Sequence, residues 1–136
     1  MHQPHDSNPD ALEDSWRIQS AAARVGFDWP DVTGVIAKVR EETREIEDAL
    51  AAGDREHAAR ELGDLLFAAV NLGRFLDTHP AKALADANQR FRKRFELLRR
   101  EVEKTGRDIE TCALDELNAV WERVKVVAAQ QSNQGG

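Results

Sequence analysis

A glutamate interrupts the apolar stripe of one helix in this chain, and that interruption constrains the fold more than any other feature. Between residues 32 and 52 the apolar positions are Val32, Val35, Ile36, Val39, Ile46, Ala49 and Leu50, at the spacing of a helix that buries one side. The position that should continue the stripe between Val39 and Ile46 is Glu42. A carboxylate on a core stripe is costly unless it is paired or ligates a metal. Its neighbours give the cluster Glu41-Glu42-x-x-Glu45, and a second cluster, Glu61-x-x-Asp64, follows after one predicted turn. Each cluster sets carboxylates three or four residues apart on one helix face. Two such helices packed antiparallel bring at least four carboxylates to one spot. Oxygen-only ligands suit a hard divalent cation, with Mg²⁺ the default and Mn²⁺ a possible substitute.

The rest of the chain supplies the other helices. Polar residues 1–9 read as a disordered leader. A first helix is expected over about 10–24, with Leu12, Trp16, Ile18 and Ala22 as its apolar positions. Gly26 and Pro30 break it. Asp31 is a suitable N-cap for a second helix over about 32–52, and Gly53-Asp54 separates it from a third over about 55–78. His79-Pro80 precedes a fourth, about 81–105, which Gly106 ends, and a fifth follows over about 114–130. Residues 131–136 read as a flexible tail. Connections this short imply antiparallel neighbours, so the expected fold is all-α: an antiparallel bundle of about five helices in one domain, 10–130. The single cysteine, Cys112, excludes an internal disulfide framework and fits a reducing cytoplasm. No apolar run approaches the ~18 residues that span a membrane, and a net charge of −6 argues against a general nucleic-acid binder.

On the third helix the expected core stripe is Ala58, Leu62, Leu65, Leu66, Ala69 and Leu72. A neighbouring stripe, Glu61, Asp64, Ala68, Asn71 and Phe75, mixes polar groups with small and aromatic spacers, as a half-buried wet site does. Solvated faces are the ordinary fate of helical glutamates, and the stripe positions of Glu42, Glu61 and Asp64 set them apart. A di-iron carboxylate bundle wants a Glu-x-x-His motif from each of two helices. The nearest approach is one unpaired Asp54-x-x-His57, and zinc lacks its usual ligands. The basic run at 90–100 puts Arg90 and Arg94 on one side of the fourth helix, where arginine forks suit phosphate oxygens. Its bland alternative is an exposed basic face over a buried Phe91, Phe95 and Leu98; a third reading is nucleic-acid contact. Trp29 and Trp121 fit a core, and the Phe27/Trp29 loop also suits stacking on a base.

These residues resemble the MazG family of all-α nucleoside triphosphate pyrophosphohydrolases, and in particular the C-terminal of the two repeated domains in full-length members. The resemblance is carried by Arg24 through Asp31 (RVGFDWPD), Lys38-Val39-Arg40-Glu41-Glu42 with Glu45, and Glu61 through Phe67 (ELGDLLF) continuing to Val70-Asn71-Leu72. Further matches are Ala87 through Phe91 with Arg94-Phe95, and Leu114-Asp115-Glu116-Leu117 followed by Trp121 and Lys125. It covers about residues 16–127. The acidic pattern alone is moderately specific; in series with the other stretches it is strong.

The resemblance implies hydrolysis between the α- and β-phosphates of a nucleoside triphosphate, giving monophosphate and pyrophosphate with Mg²⁺, for house-cleaning of the nucleotide pool. It implies Glu42, Glu45, Glu61 and Asp64 as metal ligands and Glu41 as an outer or water-orienting carboxylate. Either Glu41 or Glu42 is the catalytic base. Lys38, Arg90 and Arg94 are implied as triphosphate contacts, and Trp121 as part of the nucleotide pocket. Asn71 joins them as a substrate-binding candidate. His57 stands where the family has a lysine, and Arg90 replaces another, so substrate preference is less fixed than reaction type. Full-length members carry a further N-terminal domain where this chain has only its leader, so a natural single-domain member and a fragment are both open. A homodimer or higher assembly is expected. The competing reading from another class is a non-catalytic helical module that binds nucleotide or protein.

Overall fold

The structure, a computed structural model, describes residues 10–134, so the expected leader at 1–9 and the last two tail residues lie outside it. Among the described residues there are five α-helices, a single 3-10 turn at Ile109–Thr111 and no strand. The helices are α1 (Ala11–Arg24), α2 (Val32–Ala51), α3 (Arg55–Phe75), α4 (Pro80–Glu103) and α5 (Leu114–Gln134). None of them is long and apolar enough to cross a membrane. The described residues divide into two compact units on either side of a boundary between Ala83 and Leu84, inside α4.

Local chemistry sets the boundaries in the first unit. Asp31 caps α2 by accepting from the Thr33 N–H at 2.9 Å, and Asp54 caps α3 by accepting from the His57 N–H at 3.0 Å; such caps each contribute about 1 kcal/mol. Gly53, at φ +73°, supplies the left-handed residue that ends α2. The three-residue link, Ala52 to Asp54, forces α2 and α3 antiparallel: one shared cavity joins Val35 to Ala68 and Asn71, another joins Ala49 to His57. Helix α1 packs on α3, where the Gln19 amide donates to the Phe67 carbonyl at 3.1 Å.

The rotation of two helices differs from the sequence expectation. On α1, Ile18 is 54% exposed while Gln19 is buried. On α3, Leu62 and Leu66 are about half exposed (50% and 53%), and Ala69 is exposed too. The buried residues are Ala58, Ala68, Val70 and Asn71. The wet stripe, not the leucine stripe, therefore turns toward α2. The physical reason lies on α2, whose buried positions Val35, Glu42 and Ala49 include the carboxylate. Facing it with leucines would strand that charge, whereas facing it with Glu61 and Asn71 gathers the polar groups.

In the second unit, Leu98 and Val102 of α4 and Val124 of α5 form a buried cluster against Phe95, Leu117, Val120 and Trp121. Helix α5 continues four residues past the expected 130.

Candidate metal and phosphate site

Three of the four expected ligands converge. One carboxylate oxygen from each of Glu42, Glu45 and Glu61 lies within 4.8 Å of the other two. Glu42 is 3% exposed. Its Oε1 accepts from Lys38 Nζ at 3.0 Å, and the same ammonium reaches Glu41 Oε2 at 3.4 Å. Glu61 Oε1 pairs with His57 Nε2 at 3.1 Å. The other oxygens, Glu42 Oε2 and Glu61 Oε2, are buried with no hydrogen-bond partner. Ionised carboxylates have no proton to offer each other, so these two oxygens call for either a shared proton or a cation. The pKa directions express the first solution. Glu61 is pushed up to about 7, by Glu42 first and Glu45 second, while Glu42 is held below the usual carboxylate range by Glu61 and then Lys38. The pair titrates as a unit. Lys38 is held above its usual value, chiefly by Glu42.

A hard divalent cation is the second solution. The donor set fits one: all-oxygen, one ligand per turn, and two lone-pair-bearing atoms otherwise unmatched. Asp64 lies outside the three-carboxylate set. It lines an adjoining cavity of about 310 Å³ with Lys38, Glu42, Asn71 and Trp29, so Glu42 belongs to both. Glu41 is exposed, and Asn71 is 8% exposed with its Oδ1 accepting from Arg74. Arg90, Arg94 and Trp121 belong to the second unit. There Arg90 is exposed and Arg94 half-buried, and Trp121 packs against Phe91 with ring centroids 5.5 Å apart.

A model of the MazG nucleotide pyrophosphohydrolase domain matches residues 31–96, the stretch that holds both acidic clusters. The chain belongs to the MazG family. Two curated MazG-type relatives agree over 85% of the chain. One is the nucleoside triphosphate pyrophosphohydrolase/pyrophosphatase MazG of Thermotoga maritima, 41% identical over 115 residues. The other is the nucleoside triphosphate pyrophosphohydrolase of Escherichia coli K12, 40% identical over 117 residues. The chain spans 44% of the length of each. The MazG match covers every expected site residue except Trp121.

Sequence reasoning missed Gln19 and the Asp28–Arg74 pair. Gln19 sits three residues after Trp16 and seven after Leu12, a polar group on an apolar stripe, which is the same signal that singled out Glu42. Asp28 and Arg74 pair through two hydrogen bonds of 3.2 and 2.9 Å, lowering the Asp28 pKa below its usual range. Their sequence separation of 46 left no local signal.

Proposed function

We propose that this chain hydrolyses nucleoside triphosphates to the monophosphate and pyrophosphate, with Mg²⁺ held by Glu42, Glu45, Glu61 and Asp64. The observation that carries the reading is the meeting of buried Glu42 with half-buried Glu45 and Glu61, which leaves two unmatched oxygens. When bound, the ion supplies positive charge for the phosphate oxygens and lowers the pKa of a coordinated water; Mn²⁺ would serve similarly. The protein's own groups do the rest. Lys38, at the cavity that Asp64 and Asn71 also line, is positioned to exchange its carboxylate partners for a phosphate oxygen. Glu41 or Glu42 takes the proton of the attacking water while the α–β bridge breaks and pyrophosphate leaves. His57 holds Glu61 in place through its Nε2 and stands as a further substrate contact. In the second unit, Arg90 and Arg94 offer guanidinium forks of the kind that grip phosphate oxygens, and with Trp121 they stand as candidate substrate contacts. Such transfer needs mainly positioning and charge stabilisation, which this residue set offers.

The apolar residues left exposed, Ile36, Leu50, Leu62 and Leu66, support a homodimer that covers them. A lone free cysteine is consistent with work in a reducing cytoplasm, and the cellular role is removal of unwanted nucleotides. The test is product analysis from a panel of ribo- and deoxyribonucleoside triphosphates with Mg²⁺ and with excess EDTA. Monophosphate plus pyrophosphate, abolished by EDTA, is expected. Nucleotide binding with no product in any condition would refute the enzyme and leave a binding module.

A further inference from the structure

The acidic cavity has a neighbour that the mechanism leaves unused. A cavity of about 530 Å³ lies between α1, the α1–α2 loop and α3, walled by Ile18, Ala22, Phe27, Trp29 and Phe67. Trp29, Phe67 and Asn71 line both cavities. A molecule with its phosphates in the smaller one therefore meets the larger one at its other end. That end must be flat and largely apolar, with few polar atoms, since the walls are aromatic and aliphatic.

Two buried amides supply the polar contacts. Gln19, 7% exposed, lines only the larger cavity. Its Nε2 donates to Ser15 Oγ at 3.0 Å and to the Phe67 carbonyl at 3.1 Å, using both amide hydrogens. The Phe67 carbonyl can only accept, which sets the orientation of the amide and leaves Oε1 as an acceptor. Asn71, at the boundary of the two cavities, gives its Oδ1 to Arg74, which leaves its Nδ2 as a donor. Arg74 is in turn clamped by both oxygens of Asp28, so Asn71 is fixed as well. From the phosphate end inward, the order is donor and then acceptor.

We propose, on the strength of the hydrolase reading above, that this cavity takes the nucleobase. Gln19 selects bases that carry an exocyclic amino group on the edge far from the sugar. Cytosine and adenine fit: the acceptor near the sugar (O2 or N3) meets Asn71, and the distal amino group meets Gln19. Uracil and hypoxanthine put an oxo group at the distal position, where two acceptors would face each other and stay unpaired.

The experiment measures kcat/KM for CTP against UTP and for ATP against ITP, on the full chain and on Gln19→Leu. The wild type is expected to favour the amino member of each pair by about tenfold or more. Gln19→Leu is expected to bring the ratios toward one by raising KM for CTP and ATP, with kcat little changed. Calorimetric titration of the wild type with CMP and with UMP gives the same comparison without turnover or a variant, and CMP is expected to bind more tightly. Equal wild-type values for CTP and UTP with hydrolysis intact, or undiminished discrimination by a folded Gln19→Leu, overturn the assignment and spare the hydrolase reading. Absence of product from every triphosphate counts against the hydrolase reading; CMP and UMP binding equally then refutes the base assignment separately.

Discussion

Gly34→Ala probes the wall that the two cavities share. Gly34 lies in the first turn of α2, and the Trp29 indole rests against it. A Cβ built there would stand 2.6 Å from Trp29 Cε3, with two further ring atoms at 3.2 and 3.3 Å. Ordinary carbon–carbon contact is about 3.5–4.0 Å, so the ring must retreat by roughly 1 Å. Overpacking of this kind costs about 1–3 kcal/mol. Against it, replacing a helical glycine by alanine gains about 0.5–1 kcal/mol. The net expectation is a loss of up to about 2.5 kcal/mol in urea unfolding, together with a severalfold rise in KM as the indole shifts in both cavities. A helical glycine with open space beside it would instead gain stability on becoming alanine. A Gly34→Ala variant that is more stable than wild type, with KM unchanged, would refute the seating of Trp29 and the role given to it as a shared wall.

Three further outcomes are expected. Glu42→Ala or Asp64→Ala should lose at least about a hundredfold in kcat while keeping its helical circular-dichroism spectrum, in line with the loss of a preorganised charge-stabilising contact; near-wild-type turnover at saturating Mg²⁺ would remove that residue from the ligand set. The Glu61 pKa, about 7 against an ordinary 4.5, means that between these pH values the folded chain keeps a proton the unfolded chain has shed. Stability in EDTA should therefore fall as pH rises through that window. Excess Mg²⁺ should reverse the trend by displacing the proton, and thermal unfolding at pH 5.5 and pH 8 with and without the ion checks both signs. Leu66→Lys should convert a dimer to monomer in sedimentation analysis while leaving the α2–α3 hairpin helical; an unchanged sedimentation coefficient would move the interface elsewhere.

How far the sequence could be read depended on whether the signal was local. The breaks between helices were legible because Asp31, Gly53, Asp54 and Pro80 act through their own backbone and nearest neighbours. Each helix start came within one residue of expectation. The meeting of Glu42, Glu45 and Glu61 was legible from spacing alone, since a three-residue link leaves little choice of register between α2 and α3. The facing of α3 was not. Leu62 and Leu66 look like core residues on any hydrophobicity scale, and only the partner helix decides that the polar stripe turns inward. Gln19 carried a usable signal, a polar residue at a stripe position, but its meaning depends on the Phe67 carbonyl 48 residues away. Arg90, Arg94 and Trp121 were candidates by resemblance. Trp121 has a packing role against Phe91 in its own unit whether or not it meets nucleotide.

The clamp between Asp28 and Arg74 links two parts of the chain that a protein engineer would treat as separate. The α1–α2 loop is held to α3 by that pair, and the same arginine orients Asn71 at the junction of the cavities. Replacing residue 28 with a side chain that lacks a carboxylate would leave Arg74 without its partner in the loop. The donor at Asn71 would then lose its brace, even though no residue at the acidic cluster had been altered. Loop and helix are thus one mechanical unit, and a change at either end of the ion pair reaches the larger cavity through Asn71.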